Sequence, residues 1–135
     1  AKKRVREGIA NKKPENTVYK LSSGLYVAST RKEKVDILVK IKGIGYPIAS
    51  AILTVCYPDK FTIVDYRVKQ TIKRLEIKID GNPSANTDAY LDYVKRCIEF
   101  AIKTNISLRD LDKYLWGFDF VEGKNGLTEF IKGLR

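Results

Sequence analysis

Residues 41–53 read IKGIGYPIASAIL: two glycines one residue apart, between one apolar-periodic segment and an apolar run. This feature constrains the fold more than any other in the chain. Glycine reaches backbone dihedrals that side chains forbid, and it lets two main chains approach closely. Gly43 and Gly45 therefore predict a tight hairpin between two helices, with Ile44 turned inward as its pin. Pro47 suits the first turn of the second helix, where its missing N–H costs nothing. Small Ala49 and Ala51 let the two helices pack closely. The second helix then presents free N-terminal N–H groups outward, and such a terminus binds anions through hydrogen bonds and dipole. The plainer reading of the same glycines is an ordinary C-cap joining two helices.

The rest of the chain reads as helices around that hairpin. AKKRVREGIANKK forms a basic first helix stopped by Pro14. NTVYKLSSGLYVAST is ambiguous between strand and helix, although Val18, Leu21 and Leu25 keep helical spacing. Thr30 caps a helix through about Ile41. The helix after the glycines carries Ile48, Ala51, Ile52 and Val55 and ends before Pro58. FTIV is a short extended run leading to Asp65, and VDYRVKQTIKRL is helical with Val68, Ile72 and Leu75 on one face. GNPSANT is a loop on composition. Thr87 caps a long helix striped by Leu91, Val94, Ile98 and Ala101, and Ser107–Asp110 resembles a capping box opening LRDLDKYLW. VEGKNG is a turn before a last short helix, LTEFIKGL. Without a convincing strand pair or an internal repeat, the expectation is an all-α, compact multi-helix domain spanning 1–135.

Charge points to a partner. The chain carries a formal net charge of +10, and residues 1–42 hold twelve Lys/Arg against four acids. Such a footprint suits a polyanion, of which nucleic acid is the commonest; a solvated lysine-rich surface is the alternative. The absence of histidine excludes histidine triads and His-ligated zinc. Two cysteines are too few to hold an iron–sulfur cluster. The flanks of Cys56 and Cys97 suggest buried helix positions, and the expected setting is intracellular with no membrane span.

The segment IKGIGYPIASAILTVCYPDKFTIVDYRVKQTIKRL resembles the helix-hairpin-helix DNA glycosylase superfamily, in layout the endonuclease III and mismatch adenine glycosylase branches. The match spans roughly residues 38–75, with the hairpin motif at about 31–57. In those enzymes an apolar helix, a short extended link and an aspartate opening the next helix follow the hairpin. The resemblance implies double-stranded DNA as partner, gripped through its backbone by Lys42, Gly43, Ile44, Gly45, Tyr46 and Ile48, with Arg67, Lys69 and Lys73 as further contacts. It places Asp65 as the catalytic carboxylate of base-excision repair. It also implies a structural monovalent cation, potassium or sodium, on the carbonyls of Val39, Ile41 and Ile44. Bifunctional relatives carry a Schiff-base lysine two residues after the second glycine; here that residue is Pro47, which leaves a monofunctional hydrolase.

Cleavage of an N-glycosidic bond builds positive charge on the sugar as the base departs. A carboxylate near the anomeric carbon stabilises that charge and orients the attacking water, once the base has left the stack. Asp65 also fits the plain role of helix N-cap, and one residue can fill both. Of eight tyrosines, Tyr46 and Tyr66 adjoin proposed functional residues and can stack on a base. Trp116 follows Leu108, Leu111 and Leu115 at helical spacing and reads as core, whereas Asp110 and Asp112 read as solvent-facing or helix-terminus charges. Two other readings stay open: a non-catalytic DNA-binding or scaffolding module that kept the hairpin, and a helical protein–protein adaptor with a basic face.

Overall fold

Where helical periodicity and cap residues coincide in the sequence, the chain folds locally as they dictate. The structure, a computed structural model, describes residues 14–74 and 78–118. Six helices and no strand occur among the described residues: α1 Pro14–Val27, α2 Arg31–Val39, α3 Tyr46–Cys56, α4 Tyr66–Arg74, α5 Thr87–Thr104 and α6 Leu108–Gly117. The expected basic helix over 1–13, Leu75, the VEGKNG turn and the LTEFIKGL helix lie outside them. The ambiguous segment after Pro14 is helical, and Pro14 opens that helix rather than only stopping an earlier one. Leu21 and Leu25 of α1 pack against the core. No helix among the described residues is long and apolar enough to cross a membrane.

Caps settle most boundaries. The Thr30 hydroxyl accepts the Glu33 N–H at 3.1 Å, while the Glu33 carboxylate accepts the Thr30 N–H at 3.0 Å, a reciprocal capping box. At α6 the Ser107 hydroxyl caps Asp110 N–H, but the Asp110 carboxylate takes the Ser107 hydroxyl and Lys113 instead of closing a box. The cap of α5 is Asn86, which accepts from Ala89 N–H at 2.8 Å, one residue before the expected Thr87. Thr87 is instead buried between helices, donating to Asp36 of α2 at 2.6 Å and pairing with the Tyr46 hydroxyl at 3.2 Å. Lys34 reaches back to the carbonyls of Leu25 and Ala28 at the end of α1 and lies over the Tyr57 ring. A cation at a helix C-terminus satisfies otherwise orphaned carbonyls.

One hydrophobic cluster joins the elements. Val35 and Leu38 of α2, Ile44 of the turn, and Ala49 and Leu53 of α3 meet Val68 and Ile72 of α4. Tyr90, Tyr93, Val94, Cys97 and Ala101 of α5 and Leu108, Leu111 and Leu115 of α6 complete it. The helices pair as α1 on α2, α2 on α3 and α5, and α6 on α4 and α5. Burial pushes the Cys97 thiol up to about 12, so it is an inert apolar group. Cys56, expected to be buried, is exposed because it ends α3 on the solvent side.

Two faces differ from the expected ones. On α3 the inward residues are Ala49, Ser50, Leu53 and Thr54, and Val55 is exposed. The helix is rotated because Ser50 has to meet a chain segment that crosses it. On α6, Asp112 is buried and Trp116 is not, reversing the expectation for both. Leu108, Leu111 and Leu115 already fill the inward stripe of α6. One position past Leu115 points about 100° further round the helix.

Candidate functional site

The site is built where the extended link Phe61–Asp65 crosses the hairpin helix. Phe61, Thr62 and Val64 are fully buried, yet no sheet neighbour supplies their main-chain hydrogen bonds. Buried backbone groups need partners, and here four side chains provide them. Ile63 N–H donates to the Asp112 carboxylate at 2.8 Å, and the Thr62 hydroxyl donates to the same oxygen at 3.0 Å. Val64 N–H donates to the Ser50 hydroxyl at 3.1 Å. The Tyr90 hydroxyl donates to Thr62 C=O at 2.9 Å, and the Tyr93 hydroxyl to Ile63 C=O at 3.0 Å. Burial holds both phenols well above the ordinary tyrosine range, so they stay protonated donors. Arg109 pairs with the other Asp112 oxygen at 2.5 Å, which completes a satisfied polar network.

This network delivers Asp65 to the mouth of α4. Its Oδ1 accepts Val68 N–H at 2.8 Å and its carbonyl accepts Lys69 N–H at 3.1 Å, so Asp65 is the N-cap of α4. The carboxylate is half-buried, and its Oδ2 has no hydrogen-bond partner among the described residues. The structure therefore gives one oxygen a capping role and leaves the other available. Ser50 connects this point to the hairpin: its hydroxyl donates to Pro47 C=O at 2.9 Å while accepting from Val64.

The hairpin itself has two unequal glycines. Gly43 has φ +95°, in the left-handed region that glycine alone enters without strain. Gly45 is extended, with φ −92° and ψ 177°, so its role is not a special dihedral. A Cβ added at Gly45 would meet only Pro47 Cδ, at 3.7 Å, an ordinary contact. Nothing within the fold requires glycine there. Ile44 is buried as expected, but its N–H donates to Ile41 C=O at 3.0 Å and closes the turn. The unpartnered amides are those of its neighbours: Gly43, Gly45 and Tyr46 N–H have no partner among the described residues. Gly43 and Gly45 line an open depression together with Val39, Lys40, Ile41, Lys42, Ile44, Pro47 and Ile48. Lys42 is exposed there and makes no ion pair among the described residues.

The remaining expected residues divide. Ile48 is half-buried against the core and supports the turn. Tyr46 turns its hydroxyl to Thr87 and its ring toward Tyr90, 6.3 Å between centroids, so its side chain anchors the hairpin to α5. Tyr66 is 73% exposed beside Asp65. The Arg67 guanidinium lies 5.3 Å from the centroid of the Trp116 ring, and Lys69 is half-buried on α4. The carbonyls of Val39 and Ile44 have no partner among the described residues, and Ile41 C=O uses one lone pair on Ile44 N–H. No group of three His, Cys, Asp or Glu suited to a metal occurs among the described residues.

Sequence reasoning missed Ser50, Tyr90, Tyr93 and Asp112. The available signal was a polar residue inside an apolar stripe: Ser50 within YPIASAIL, and Asp112 between Leu111 and Leu115. Comparison of the chain with models of protein families, with curated proteins and with solved structures finds no match.

Proposed function

We propose that the chain is an intracellular helix-hairpin-helix DNA-binding protein acting as a monofunctional DNA N-glycosylase on a damaged or mispaired base. The observation that carries the reading is the Ser50 bridge. Through one buried hydroxyl, the residue preceding Asp65 is joined to the first turn of the helix leaving the GIG hairpin. A phosphate received by the Gly43, Gly45 and Tyr46 amides and by Lys42 would thus be held in register with the Asp65 carboxylate.

The chemistry follows from that register. As the base leaves with the bonding pair, positive charge grows at the sugar C1′, and Asp65 Oδ2 faces it as a fixed negative charge. A water adds to C1′ and loses its proton toward the same carboxylate, while the departing base takes up a proton from solvent. Pro47 offers no amine, so sugar release through a Schiff base at that position is closed. A potassium or sodium ion on the Val39, Ile41 and Ile44 carbonyls would add positive charge beside the phosphate.

The test is base release from a panel of lesion-bearing duplexes by wild type and Asp65→Asn together. Asparagine caps a helix as well as aspartate does, so this variant removes the charge and keeps the fold. The expected result is release by wild type and none by Asp65→Asn, with duplex affinity changed by less than about threefold. Binding should weaken steeply with salt and drop with Lys42→Glu. Tight duplex binding without release anywhere on the panel would hand the chain to the second reading, a non-catalytic DNA-binding module. The capping bond of Asp65 Oδ1 favours that reading, because it accounts for the aspartate without chemistry.

A further inference from the structure

Trp116 is the single tryptophan of the chain and keeps 44% of its surface exposed. Leaving part of an indole in water forgoes apolar burial, although the apolar stripe of α6 lies beside it. Its companion is the Arg67 guanidinium, 5.3 Å from the ring centroid, carried by the first turn of α4 two residues after Asp65. Tyr66, 73% exposed, separates the two in sequence. A planar cation against a partly exposed indole is the surface chemistry that receives the π-face of a nucleobase. A base paired within a duplex hides that face, so the ligand must be unpaired.

We infer that Trp116 and Arg67 form a stacking platform for an unpaired nucleobase of a DNA strand, at the shoulder of Asp65. The inference rests on reading the Asp65 surface as the one that faces nucleic acid. Residues two apart on a helix diverge in direction, so the platform is beside the carboxylate and takes a base next to the reacting sugar. Charge complementarity selects the occupant: Arg67 and Lys69 lie on the same short helix of a chain with net charge +10. A strand of phosphates with exposed bases satisfies both the cations and the rings.

Because Trp116 is the only indole, its emission reports on this site alone. The full chain is titrated with a short oligothymidylate and with an abasic strand of equal length and charge. Affinities are read from the anisotropy of dye-labelled strands. Saturation with the base-bearing strand should quench Trp116 emission, and saturation with the abasic strand should not. Wild type should bind the base-bearing strand about five- to a hundredfold more tightly, the usual range for one stacked base. Trp116→Leu should bring that affinity down to the abasic value, and Trp116→Phe should recover much of the difference. Equal affinity of wild type for the two strands, or unchanged emission at saturation, overturns the platform whether or not the variants fold. The lesion-duplex panel run on wild type, read beside this titration, separates the two proposals. Quenching without base release from any duplex keeps the platform and removes the hydrolase; release without quenching does the reverse.

Discussion

The Ser50 hydroxyl lies between Val64 N–H, which donates to it at 3.1 Å, and Pro47 C=O, to which it donates at 2.9 Å. One buried atom thereby joins the helix leaving the hairpin to the residue before Asp65. Ser50→Ala keeps the volume nearly constant and leaves Val64 N–H buried without an acceptor, which costs about 1–3 kcal/mol. A urea titration should show the lower midpoint with an unchanged slope. On the proposed function, single-turnover base release should slow more than duplex binding weakens, because the carboxylate loses its register to the phosphate grip.

The two hairpin glycines should respond in opposite ways. Gly43 sits at φ +95°, so Gly43→Ala should cost about 1–2 kcal/mol from backbone strain. Gly45 is the N-cap of α3 in an extended conformation, where serine caps better than glycine. Gly45→Ser should therefore leave thermal stability unchanged or raise it slightly. If the Gly45 and Tyr46 amides meet a phosphate, the new side chain blocks that approach, and duplex affinity should fall about tenfold or more. A Gly45→Ser protein that is stable and binds duplex like wild type would remove the hairpin from the interface.

Asp112 is 2% exposed and accepts from Thr62, Ile63 and Arg109. Asp112→Ala strands a buried hydroxyl and a buried N–H, and should destabilise the chain by about 3 kcal/mol. Asp112→Asn retains an acceptor oxygen for the link and should cost less. Because the loss falls on the segment that carries Asp65, amide exchange at Thr62–Val64 should quicken more than exchange within α5. Uniform quickening across both would show that Asp112 acts on the whole fold alone.

Glu33 gives a pH dependence whose direction is set. Main-chain N–H groups of Thr30 and Ser29 hold its carboxyl below the ordinary glutamate range. The folded chain thus binds this proton less readily than the unfolded chain. The capping contribution is complete above the unfolded carboxylate range, near pH 4–5, and is lost as pH falls through the lower folded value. Glu33→Gln should lower the melting temperature at pH 7, and the gap to wild type should narrow toward pH 3. A gap that stays constant with pH would mean that the charge on Glu33 contributes nothing to the cap.

Much of this fold is legible in the chain because its signals are local. Thr30 three residues before Glu33, Pro47 behind GIG, and the loop GNPSANT each report on backbone within one turn of themselves. The hairpin belongs to the same class, since the dihedral at Gly43 and the inward pin of Ile44 depend on a few neighbouring residues. Trp116 and Asp112 were illegible for the opposite reason. Periodicity assigns a face, but which residue at its edge is buried depends on the neighbour that arrives there. On α6 the link from Phe61 to Asp65 needs an acceptor, so the aspartate goes in and the tryptophan stays at the rim beneath Arg67.

By itself, then, the sequence determined the helical class of the described residues, the caps at Thr30 and Ser107, the turn between α2 and α3, and the basic charge of the chain. Each of these follows from short-range sterics, from hydrogen bonds within a few residues, or from composition. Tertiary structure alone decided that a buried extended segment would take its hydrogen bonds from Ser50, Tyr90, Tyr93 and Asp112 on three different helices. No local rule selects such partners, because the demand for them arises only when packing removes the segment from water.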